Sequence, residues 1–185
     1  MASQGPNSGG TFANDASYGT TAWTSPSNAA SSNNSYASVL LSSFNSSQYL
    51  KATNFGFSIP SGATIDGIVV EVELKASFVG YIRDSSVKIV KGGTASGTDK
   101  KRSPGVFWPN TDTVITYGGS TDLWGLSWSD TDINASDFGL AFSPSVDTGK
   151  TSITAYIDHI RITVYYTTGG GGGGASTNPI LYIGN

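Results

Sequence analysis

FGFSIPSGATIDGIVVEVEL, residues 55 to 74, decides the fold class. From Ile68 onward, Ile68, Val70, Val72 and Leu74 share one parity, while Val69, Glu71, Glu73 and Lys75 share the other. This is the period of a strand with one buried and one wet face. Upstream, Pro60-Ser61-Gly62 has the chemistry of a turn, because proline fixes φ and glycine takes positive φ freely. FGFSI and IDGIVVEVEL therefore read as two successive strands. The two-residue period returns at Ile160, Ile162, Val164 and Tyr166, and these two long strands are expected to be neighbours in the core of one domain.

Outward from this pair, Tyr18 to Thr24, Tyr36 to Leu41, Gln48 to Thr53, Tyr81 to Lys91, Val114 to Tyr117 and Phe138 to Phe142 read as further short strands separated by turn-forming residues. The last strand, Ser152 to Tyr166, changes parity between Ile153/Ala155/Ile157 and Ile160/Ile162/Val164. A β-bulge near Asp158 and His159 reconciles the two halves. Ser129 or Asp130 is placed to cap a single helical turn through Ile133.

Composition agrees with short strands and polar turns: only 12% of the 185 residues are charged and 24 are glycine. A chain of this length buries roughly 70% of its unfolded surface in one core, so one domain with tails is expected. Residues 1–15, opening with MASQGPNSGG, read as a flexible arm. Residues 16–168 form the domain, Gly169 to Gly174 a linker, and residues 175–185 a separate tail. No basic start with an apolar run marks a secretory leader, and no run of 18 apolar residues marks a membrane span. Synthesis in the cytosol is expected, with the sequons at Asn33, Asn45 and Asn134 unused. There is no cysteine, which removes disulfides, thiolate metal sites and a cysteine nucleophile.

Catalytic residues are hard to assemble. His159 is the only histidine, so a Ser/His/Asp triad would have to use it, and adjacent Asp158 points to the opposite strand face. Glu71 and Glu73 share a face, as a glycosidase pair might, but that is the wet side of a strand. Asp130, Asp132 and Asn134 match the opening of a calcium loop, yet Ala135 and Ala141 stand where glycine and glutamate are required. The six glycines lack the Lys-Ser/Thr of a phosphate loop. No catalytic, metal or cofactor residue is therefore assigned.

Two features point to binding. Lys75, Arg83, Lys88, Lys91, Lys100, Lys101 and Arg102 form the one local charge asymmetry, against Asp84 and Asp99; a solvated face is the simpler reading and an anionic partner the functional one. Trp108, Trp124 and Trp128, with Tyr117, lie in loop-rich sequence. They either stack on sugar rings or close the end of a sandwich.

Four stretches carry a resemblance: ASYGTTAWTSPSNA (Ala16 to Ala29), YLKATNFGFSIPSGATIDGIVVEVE (Tyr49 to Glu73), TYGGSTDLWGLSWSDTDINASDFGLAF (Thr116 to Phe142) and YIDHIRITVYY (Tyr156 to Tyr166). Together they resemble the small β-sandwich proteins of tailed bacteriophages and related prophage regions, found as accessory virion proteins or fibre modules. The resemblance carries no catalytic motif. It implies a non-enzymatic protein of the virion, made in the host cytoplasm, that decorates the head or forms part of a fibre. The partners expected are other virion proteins and further copies of the chain, without nucleic acid or membrane. The expected fold is a single antiparallel β-sandwich of jelly-roll type with about eight strands. The alternative is an adhesin module recognising host-surface glycan through Trp108, Trp124 and Trp128. Partner docking is expected of the tail, where Ile180, Leu181, Tyr182 and Ile183 follow Pro179 as a compact apolar group beyond the glycines.

Overall fold

The structure is a computed structural model that describes residues 1–42, 44–146, 149 and 152–168. Its strands form two antiparallel sheets. In sheet I, β1 (Ala2–Ser8), β10 (Ile153–Thr167), β5 (Thr64–Ala76) and β8 (Thr113–Gly119) lie in that order, and β3 (Ala37–Leu41) also pairs with β10. Sheet II runs β2 (Thr11–Asp15), β4 (Tyr49–Thr53), β9 (Gly139–Val146), β6 (Ile82–Lys91) and β7 (Thr94–Ser96).

The two long strands are neighbours, as their shared period requires: β5 and β10 pair antiparallel, with Val70 opposite Ile162 and Val72 opposite Ile160. Ile68, Val70, Val72 and Leu74 are fully buried, whereas Val69, Glu71, Glu73 and Lys75 are half-buried on the outer face. The register slips between Ile157 and His159. This bulge turns both Ile157 and Asp158 inward and restores the alternation from Ile160 onward. Inner-face residues of sheet II, among them Leu50, Ile89, Leu140 and Phe142, join those of sheet I in one apolar core. Tyr117 of β8 meets Phe142 of β9 across the sandwich, ring centroids 5.8 Å apart. Each large side chain buried there contributes roughly 1.5–3 kcal/mol.

Ten strands are present among the described residues rather than about eight, and the largest difference lies at residues 1–15. The expected flexible arm is instead β1 and β2, which add to β10 of sheet I and β4 of sheet II. Both are edge strands, where few side chains are buried and a polar, Gly-rich sequence suffices because the backbone ladder supplies the pairing. FGFSI departs in the other direction. Phe55, Phe57 and Ile59 are buried on alternate positions, yet residues 54–60 belong to no strand. Side chains replace the ladder: Asn134 bonds both the N–H and the C=O of Ile59 (2.7 and 2.9 Å), Gln4 accepts from the Ser58 N–H, and Asn7 donates to the Phe55 carbonyl. Tyr18 to Thr24 likewise contains only isolated bridges, Thr21 to Ser47 and Thr24 to Ser38.

The single helical turn, α1 (Asp130–Asn134), is capped by Ser129. Its hydroxyl accepts from the Asp132 N–H while the Asp132 carboxylate accepts from the Ser129 N–H, a reciprocal cap. No helix among the described residues is long and apolar enough to cross a membrane.

Candidate functional site

The tryptophans are taken first, because the glycan alternative depends on them. Trp108 and Trp124 are 1% and 0% exposed. Trp124 lies against the sheet I backbone, donating its indole N–H to the Ile68 carbonyl at 3.0 Å. Gly118, at φ 76°, makes room for it: a Cβ there would come within 2.7 Å of the indole nitrogen and 2.2 Å of the Ile68 oxygen. Trp128 is half-buried, edge-on to Phe138, bonded to the Leu123 carbonyl and covered by the Lys91 ammonium 5.1 Å from its ring centroid. Neither Trp108 nor Trp124 has a ring face for a sugar, which corrects the expectation of glycan contact through these side chains. Loop-rich sequence around them reflects the closing of the sandwich ends, where large aromatics gain most from burial.

Trp108 serves a different centre, around Asp84. This carboxylate is 4% exposed and accepts from the Arg102 Nε, Nη2 and backbone N–H, the Trp108 indole and the Tyr117 hydroxyl, at 2.8 to 3.1 Å. Burial alone would raise its pKa; the fork of hydrogen bonds and the charge of Arg102 outweigh that and hold the carboxyl below its ordinary value. The same site pushes Tyr117 upward, through burial first and then the Asp84 charge. All accepting directions of Asp84 are engaged, so the group ties sheet II to the end loops.

His159 stands on the outer face of sheet I, its Nε2 2.7 Å from the Ser8 hydroxyl. A serine–histidine pair needs a third group to orient the imidazole. Among the described residues no carboxylate hydrogen-bonds the other ring nitrogen, and Asp158 is turned into the interior, where it accepts from the Asn33 and Asn34 N–H groups. Burial, then the Arg161 charge, lower the pKa of His159. Glu71 forms a two-point ion pair with Arg161 at 3.0 and 3.2 Å, and Glu73 lies opposite His159 in the register. These groups line a depression of about 210 Å³ with Ser32 and Val114. Asp130, Asp132 and Asn134 do not converge as a calcium loop would: they bond Gly62, Ser129 with Lys91, and Ile59 respectively.

The basic stretch is largely neutralised. Lys75 pairs with Asp112, Lys91 with Asp132, Lys100 with Asp122 and Arg102 with Asp84. Lys88 and Lys101 have no carboxylate partner among the described residues.

Sequence reasoning missed an apolar end. Leu40, Phe44, Phe78, Val79, Val106 and Phe107 are exposed, Phe44 at 78% and Phe78 at 60%. All lie at the end of the sandwich where β10 begins. Leu40 is opposite Thr154; the Ser77 N–H bonds the Thr154 carbonyl; the Val146 N–H bonds Asn45; and Trp108 and Pro109 bridge Ile82 to Ala76. A signal was present in isolated large apolar residues within polar turns, as in SSFNSS and ASFVGY. Pro179, Ile180, Leu181, Tyr182 and Ile183, the expected docking residues, lie outside the described residues. Set beside known proteins, the chain matches no family model, no curated protein and no solved structure.

Proposed function

We propose that this chain is a non-enzymatic structural module of a bacteriophage virion, decorating the head or forming part of a fibre through protein–protein contacts. Its setting, and the jelly-roll connectivity that goes with it, rest on the sequence resemblance. The observation that carries the assembly reading is the apolar end. Six large apolar side chains exposed at one end of a sandwich exceed the scattered exposure usual for a surface and mark a contact site.

Its occupant is the Pro179–Ile183 segment of a second copy. Thr167 is paired with Thr64 at the end of the sandwich opposite Ile153, so the chain leaves the domain far from its own apolar end. The fifteen-residue β10 spans about 46 Å at roughly 3.3 Å per residue. From Thr168, the chain would have to run almost fully extended, at about 3.3–3.6 Å per residue, to bring Ile180 to Ile183 back along that length, whereas six glycines as a coil cover only about 13 Å. Reaching a neighbour's apolar end needs no such stretch. The contact is then head-to-tail, a heterologous interface that closes into a ring or grows into a filament.

Sedimentation of the full chain, of a chain lacking residues 175–185, and of the Phe44→Asp/Phe78→Asp double variant tests this. Assembly of the full chain with both variants monomeric and folded is expected. If the truncated chain assembles as well as the full one and melts many degrees lower, the segment belongs to its own domain and the reading is wrong. Density for the chain in an intact particle tests the virion setting separately.

A further inference from the structure

The outer face of sheet II carries a second, smaller cluster that the core does not use. Tyr49, Val90 and Ala141 are buried there, with Tyr18 and Ala95 packed against them. Tyr18 stacks on Tyr49, ring centroids 4.9 Å apart and planes 26° apart, so Tyr49 is 4% exposed while Tyr18 stays half-exposed. The Tyr18 hydroxyl is fixed by the Ser85 hydroxyl at 2.8 Å, and that of Tyr49 by Ser86 at 2.8 Å. A tyrosine held at both its face and its tip is a rigid platform.

Two depressions share this platform. One, of about 420 Å³, is lined by Tyr18, Tyr49, Asp15, Lys88 and Thr94; the other, of about 140 Å³, by Tyr18, Arg83, Asp84, Ser85, Lys101 and Arg102. Asp15 is engaged by Lys51 at 3.1 Å and Arg102 by Asp84. Lys88 and Lys101, which have no carboxylate partner among the described residues, thus fall one on each side of Tyr18.

We propose that this face binds an acidic saccharide, one sugar ring lying against Tyr18 and anionic substituents meeting Lys88 and Lys101 in the flanking depressions. Sugar rings present an apolar C–H face and a polar rim. The site offers the complement: an aromatic ring, then serine and threonine hydroxyls, then ammonium groups that have no competing partner. A nucleic acid fits less well, because two separated lysines beside one ring make no basic stripe among the described residues to follow a phosphate backbone. This inference is independent of the assembly reading, which uses the end of the sandwich and not the outer face of sheet II.

Titration calorimetry of the full chain with polygalacturonate, hyaluronate, neutral dextran and single-stranded DNA tests it. Saturable binding to at least one acidic polysaccharide is expected, with none to dextran. Affinity falls about tenfold or more in the Lys88→Gln/Lys101→Gln variant and in Tyr18→Ala, and persists in Tyr18→Phe. The lysines hold no internal partner, so their replacement leaves the melting curve in place and isolates binding from folding. The proposal is overturned if neither acidic polymer binds, if dextran binds equally well, if DNA binds more tightly, or if the double lysine variant binds like the parent.

Discussion

Asp84 and Asp158 are both buried, at 4% and 1% exposure, and the sandwich meets the two carboxylates in different ways. Around Asp84 it assembles five donors, a cation among them. Around Asp158 it offers two backbone N–H groups, both to Oδ2, while Oδ1 has no partner. Asp84 joins several segments at once, β6 with residues 102 and 108 and with β8. Asp158 is the residue a bulge turned inward, and it holds a single turn, at Asn33 and Asn34, against β10. A buried carboxyl group is kept in the first case by what it ties together and in the second by the register of a strand.

The largest test is removal of Asp84. Asp84→Ala strands Arg102, Trp108 and Tyr117 without an acceptor and is expected to cost about 3–5 kcal/mol, measured by urea denaturation at neutral pH. Arg102→Met comes next. It leaves the carboxylate without its cation, so burial dominates and the Asp84 pKa rises. In the parent the folded pKa is depressed, the unfolded chain takes up the proton first, and this contribution is present above about pH 4 and lost as pH falls through the folded value. The acid-unfolding midpoint of Arg102→Met should therefore move to higher pH. Asp158→Asn should change stability by about 1 kcal/mol or less, since an amide oxygen can accept from the same two N–H groups; a loss as large as that of Asp84→Ala would erase the contrast.

The smallest effect is that of His159, next to Asp158 on the opposite face. Its folded pKa is lowered, so the unfolded chain binds the proton more readily and this contribution is lost as pH falls below about 6.5. His159→Gln should flatten that slope in a plot of melting temperature against pH.

Strands with a wet face were legible, because β5 and the second half of β10 write their burial as strict alternation, and the parity change at Asp158 located the bulge. Phe55, Phe57 and Ile59 alternate just as well yet form no strand. Alternation reports which side chains are buried, not whether the backbone pairs with another strand or with Asn134 and Gln4. Residues 1–15 failed for the converse reason, since an edge strand that buries little has no apolar period to show. The Asp84 centre was out of reach because Asp84, Arg102, Trp108 and Tyr117 are brought together only by the fold. The apolar end was half legible: Phe44 and Phe78 are conspicuous in their turns, but only the topology places them at one end.

The pairing of β1 with β10 sets a timetable for synthesis. Ala2 lies opposite Tyr166, so β1 leaves the ribosome more than 160 residues ahead of its partner, and waits on the order of ten seconds or more at ordinary elongation rates. A sticky apolar edge would spend that interval seeking other chains. ASQGPNS, with its glycine, proline and short polar side chains, is poorly suited to aggregation, and the composition that makes it look like an unstructured arm is what lets it arrive unpaired when β10 emerges.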